Sequence, residues 1–240
     1  MLLAMTSPVF MIAIAVVVLV ILAVRAERKR ARAKTALLST LGFQVLDQPD
    51  PQITEVLLAL YRRGSKRGRP LRLGKVSHRA SPAGSVYIFD VSDAGSSRAS
   101  QVVSNAVGVV RPGARLPHFE IWAYAEGGGM LDQMMLGVVQ KKVAGGHQVR
   151  FDDQPEFGRR FTVFAPDEDG DRAVRSYLTL AVRRALMNAQ FLALVAGGDA
   201  FALQGNPFSA TNRGDEMGVL RQLVDEALRQ AEVLAPGPFA

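Results

Sequence analysis

The first apolar stretch of this chain has no periodicity at all. Met1 to Val24 carries no charged side chain, and its densest part is Val9–Val24, VFMIAIAVVVLVILAV. Those 16 residues reach ~24 Å as a helix, slightly short of a ~30 Å hydrocarbon core. Extending back to Leu3 makes up the length, and Pro8 sits near the start, where a helix tolerates it best. The pattern predicts one transmembrane helix over 1–24. A cleaved signal peptide would place basic residues before the apolar run. Here Arg25, Arg28, Lys29, Arg30, Arg32 and Lys34 follow it. The positive-inside rule then puts the N-terminus outside and the following domain in the cytoplasm of a single-pass cell-membrane protein.

Helical spacing appears next. Residues 25–41 are rich in Ala and Leu and continue as a basic juxtamembrane helix that Gly42 ends; a linker runs to residue 50. Asp50 and Pro51 read as an N-cap and a first helical residue. Ile53, Val56, Leu57, Leu60 and Tyr61 then recur on one helical face.

From Leu71 the pattern alternates. Strands are predicted over Leu71–His78, Ser85–Val91, Gln101–Val110 and His118–Tyr124, with turns at 81–84, 93–97 and 111–114. In the last of these strands Phe119, Ile121 and Ala123 face the core, and Glu120, Trp122 and Tyr124 face away. Met130–Val143 reads as a helix of ambiguous pattern. Arg160–Phe164 reads as a strand, Asp171–Met187 as a helix, and residues 191–204 as a hairpin turning at Gly197-Gly198. Asp215–Leu234 is an amphipathic helix with Met217, Leu220, Val224, Ala227, Ala231 and Leu234 inward, and Arg221, Asp225, Glu226 and Arg229 outward. Residues 235–240 form a tail. The fold class is α+β: a transmembrane helix, then a globular domain over 51–234 with a mainly antiparallel sheet and packed helices.

Composition narrows the function. There are no cysteines, so disulfides and thiolate metal sites are excluded. The formal charge is +7, but residues 25–34 hold six of the basic residues and one acid. The rest is nearly neutral, which disfavours a nucleic-acid binder.

Candidate chemistry is sparse. The glycine runs at 126–130 and 143–147 lack the Gly-Lys-Ser/Thr of a phosphate loop. Asp167, Asp169 and Asp171 alternate as in a calcium loop, but Gly170 and Leu178 stand where that loop's spacing fails. Acids before a helix read as capping. His78, His118 and His147 are scattered, giving no metal ligand set. No catalytic residues, metal or cofactor are assigned. A second basic run is Arg62, Arg63, Lys66, Arg67, Arg69, Arg72 and Lys75, without an acid among them. It reads either as a solvated loop at a helix C-terminus or as a contact for anionic lipid or an unidentified protein partner.

The stretch VRFDDQPEFGRRFTVFAPDEDGDRAVRSYLTLAVRRAL at 149–186, with the hairpin FLALVAGGDAFAL after it, resembles a family of uncharacterised bacterial membrane-anchored proteins. That resemblance implies a membrane span, a strand carrying Phe157, Phe161 and Val163, an acidic turn at Asp167 and Asp169, a helix and a two-strand hairpin. The family pattern has a Thr-Pro pair starting a new helical turn; here Leu180 follows Thr179. Together these readings describe a membrane-tethered cytoplasmic module that binds a protein partner or the anionic bilayer surface. The alternative is a membrane-associated enzyme whose site is assembled only in three dimensions.

Overall fold

The computed structural model describes residues 8–62, 70–94, 101–124, 146–205 and 215–234; within them, the side chains of 8–11, 13, 30, 101 and 102 are excepted. The chain divides into two compact units, Met1–Phe43 and Gln44–Ala240.

The first unit is one helix, α1 (Pro8–Thr40). The basic segment continues the apolar one as helix, as expected, because no helix breaker stands between Val24 and Thr40. Gly42 stops the helix as expected. At φ +76° it lets Gly42 N–H reach Ser39 O at 3.0 Å and Phe43 N–H reach Leu38 O at 2.8 Å, which satisfies the orphan carbonyls in a Schellman cap. The expected span over 1–24 is not shown: among the described residues no helix is long and apolar enough to cross a membrane. Residues 1–7 lie outside the described residues, and side chains are described without interruption only from Ile14 to Lys29.

The second unit is built on an antiparallel sheet with ten described strands: β1 (Gln44–Leu46), β2 (Leu71–Leu73), β3 (Val76–Ser81), β4 (Gly84–Asp93), β5 (Gln101–Val110), β6 (Leu116–Ala123), β7 (His147–Val149), β8 (Phe161–Ala165), β9 (Ala193–Gly198) and β10 (Ala200–Gln204). The order is β1-β3-β4-β5-β10-β9-β6-β8-β7, with β2 also on β4. The helices are α2 (Pro51–Ala59), α3 (Pro155–Arg160), α4 (Glu168–Tyr177), α5 (Leu180–Leu186) and α6 (Glu216–Leu234). The α+β class with a large antiparallel sheet therefore holds.

The two faces of the sheet bury different partners. On one, Tyr87, Phe89, Val91, Ala106, Ala200, Ala202 and Val195 pack with Leu57 and Leu58 of α2 and with Leu60 and Tyr61 just after it. Gly108 makes the fit possible: a Cβ there would stand 2.9 Å from Phe89 Cε1 and 3.1 Å from Leu57 Cδ2. On the other face, Val86, Ile88, Val107, Val109, Phe119, Ile121, Val163, Leu194 and Phe201 are buried, and α4 and α6 pack there. Phe119 meets Tyr177 of α4 at 5.8 Å between ring centroids.

Several expectations need correction. The strand read as Leu71–His78 is two, β2 and β3, both paired with β4. Gly74 sits at the break, donating to Asp90 O at 2.8 Å, with its α-carbon close against the Asp90 side chain. The helix read as Asp171–Met187 is also two. Leu178 leaves helical geometry at ψ 62°, and Thr179 caps α5 by accepting from Val182 N–H. Phe157 belongs to α3, which Pro155 opens, whereas Phe161 and Val163 do lie on a strand. The hairpin turns on Gly198-Asp199, one residue later than expected, because Gly197 pairs with Ala200. Positive φ at Gly198 alone fits a type II′ turn. Glu226 does not face away: it is buried, accepting from Gln230 Nε2 at 2.7 Å and paired with Arg229 at 2.9 Å. The proposed helix 130–143 lies outside the described residues.

Candidate functional site

The basic segment of α1 is laid out by helical geometry. Arg25, Arg28, Lys29 and Arg32 stand at i, i+3, i+4 and i+7, so they share one face, and all four are exposed. Lys34 is half-buried, and the side chain of Arg30 lies outside the described set. Thr35 and Thr40 donate back to Ala31 O and Ala36 O, at 3.0 and 2.9 Å, within the helix.

The second basic run is only partly visible. Arg63, Lys66, Arg67 and Arg69 lie outside the described residues. Arg62, three residues past the end of α2, pairs with Glu55 of that helix, so its charge is partly offset. Arg72 projects from β2, and Lys75 from the β2–β3 break; both are exposed.

The acidic turn does what capping requires. Asp167 Oδ1 accepts from Gly170 N–H at 2.8 Å, while Glu168, Asp169 and Asp171 fill the first turn of α4. Among the described residues no group of three His, Cys, Asp or Glu side chains could hold a metal ion. His78 and His118 lie on β3 and β6, as expected. His147, expected in a glycine loop, begins β7 instead.

The structure gathers a cluster that the sequence did not announce. His147 Nε2 lies 3.0 Å from Asp171 Oδ2, and Asp171 Oδ1 lies 2.6 Å from Arg175 Nε. Arg175 also donates to Arg150 O. Arg183, almost fully buried, stacks 4.4 Å over the Phe151 ring, and Arg175 stands 5.7 Å from the same ring. Asp153 takes both terminal nitrogens of Arg183. The Arg183 hydrogen bonds, first, and its charge hold the Asp153 carboxyl below its usual pKa of 3.8. These contacts join β7, the segment after it, α4 and α5, fastening the two helices to the strand at the described edge of the sheet. No sequence spacing could have paired residues about thirty positions apart.

A second group surrounds the end of α2. The Tyr61 phenol is buried, which raises its pKa; Gln204 beside it opposes that rise, and the charge of Glu120 adds to it. No well-aligned hydrogen bond closes on its hydroxyl among the described residues. Gln204, Ala193, Trp122 and Thr162 lie in one cross-strand row. Trp122 Nε1 donates to Glu120 at 3.1 Å, and Thr162 donates to the Tyr124 hydroxyl at 2.5 Å.

No protein-family model, characterised protein or solved structure matches this chain.

Proposed function

We propose that the chain is a membrane-tethered binding module: α1 holds it at the bilayer, and the second unit is displayed in the cytoplasm. The carrying observation is where apolar surface is left uncovered. Among the described residues the exposed large hydrophobic side chains are Ile12, Ile14, Val16 through Leu22 and Val24, all on α1, together with Val45 and Leu180 elsewhere. Among the described residues the second unit covers nearly all of its large apolar side chains, whereas α1 leaves its apolar segment bare, the surface that lipid or a partner covers. The Arg/Lys segment directly after Val24 supports the cytoplasmic side for the C-terminal unit. The resemblance to a membrane-anchored bacterial family points the same way. Arg72 and Lys75 remain available as contacts of the displayed unit.

The test is alkaline carbonate extraction of membranes from cells making the full chain. The chain stays with the lipid pellet. Val18→Arg with Ile21→Arg adds ~5–7 kcal/mol to insertion at the centre of a span and moves the chain to the supernatant. Release of the unmodified chain by carbonate would sink the reading.

A further inference from the structure

We infer that one face of α1, formed by Arg25, Arg28, Lys29 and Arg32, is a contact surface for anionic phospholipid headgroups. This deepens the tether proposed above and rests on it. Successive helical residues turn by ~100°, so the four side chains fall within an arc of ~100°. Positions 27, 30 and 34 fall on the opposite side, where Glu27 offsets one of two basic residues, so the formal charge is about +4 on the stripe against about +1 behind it. All four stripe residues are exposed. None makes an ion pair with a described carboxylate, so their charge is directed outward.

Height along the helix agrees with this partner. At ~1.5 Å per residue, Arg25, Arg28 and Lys29 stand ~1.5, ~6 and ~7.5 Å beyond Val24, and Arg32 ~12 Å beyond it. The headgroup layer on each side of a bilayer is ~5–8 Å deep. With Val24 at the hydrocarbon boundary, three of the four lie inside that layer, and Arg32 reaches back to it along its aliphatic stem. A topology signal alone requires only basic residues near the span. The excess of positive charge on one side gives the helix a preferred direction of lean, with the stripe against the leaflet and the side that carries Glu27 turned from it. The recognised group is the phosphodiester of a lipid with net negative charge; a zwitterionic headgroup offers the same phosphate with its charge cancelled.

The chain has no cysteine, so Ala26→Cys provides a single labelling site beside the stripe. The full chain, labelled there with bimane, is reconstituted into vesicles containing doxyl-labelled phosphatidylglycerol or doxyl-labelled phosphatidylcholine at equal dose. Quenching by the anionic lipid should exceed that by the zwitterionic lipid by at least about twofold, given the attraction of each basic residue near the surface. Arg28→Gln with Arg32→Gln should erase the difference. Arg30→Gln with Lys34→Gln, an equal loss of charge off the stripe, should keep it. Each preparation is first extracted with carbonate. A chain that carbonate removes overturns the tether itself. A chain that stays inserted but shows no lipid preference, or loses it equally with both pairs, overturns the stripe alone.

Discussion

The imidazole of His118 lies over the α-carbon of Gly197, in the space that a Cβ at that position would occupy. β6 and β9 are neighbours in the sheet, and the absence of a side chain on one strand gives the ring of the other its seat. Gly197→Ala is therefore an overpacking change. It should destabilise the chain by ~1–3 kcal/mol in thermal or urea unfolding. His118→Ala should restore most of that loss in the double variant. Additive losses would show that the ring is not what the glycine accommodates.

Removing the Tyr61 hydroxyl should cost nothing. A buried hydroxyl without a well-placed partner pays desolvation for little return, and burial also keeps the phenol un-ionised at high pH. Tyr61→Phe should leave the unfolding midpoint unchanged or raise it by up to ~1 kcal/mol of stability. A clear loss would mean that the Gln204 contact is a full hydrogen bond.

Asp153 should shape the acid limb of stability. Its pKa is lowered in the folded chain, first by the Arg183 hydrogen bonds. A lowered carboxylate stabilises above its unfolded pKa and loses that contribution as pH falls through the folded value. The effect is complete at neutral pH and disappears on acidification below about pH 4. Melting temperature against pH should fall more shallowly in Asp153→Asn over that window, from a lower neutral plateau. At neutral pH Asp153→Ala should be worse than Arg183→Met, because it leaves a buried guanidinium unpaired.

Thr179→Ala should cost ~1 kcal/mol by uncapping α5, whereas Thr179→Ser should be close to neutral. Circular dichroism with chemical unfolding reads both.

Much of the sheet was legible because its strands are short runs rich in β-branched and aromatic residues, bounded by Gly, Ser and Pro turns. Gln101–Val110 was read at its observed limits, and Phe119 and Ile121 are buried as expected. The misreadings share a cause: a tertiary contact overrode a local pattern. Leu71–His78 reads as one strand, yet it is broken where Gly74 settles against Asp90. Here β5 bulges so that Asn105, at φ +52°, can donate to the Asp90 carboxylate at 2.7 Å. Asp171–Met187 has unbroken helical spacing, and its break is visible only in the capping capacity of Thr179. Pro155 did signal a helix start before Phe157, but the Phe spacing resembled a strand. The His147–Asp171–Arg175 cluster left no mark, since it joins elements brought together by folding. The bareness of the apolar segment of α1 was readable from its residues alone.

Among the described residues the sheet ends on both sides in strands of three residues, β1 and β7. An open sheet this wide could grow by adding strands from a neighbouring molecule. Such short borders offer few unpaired amides and carbonyls to a second chain. Borders so short set a low ceiling on how many backbone bonds a neighbouring copy could make at either described edge.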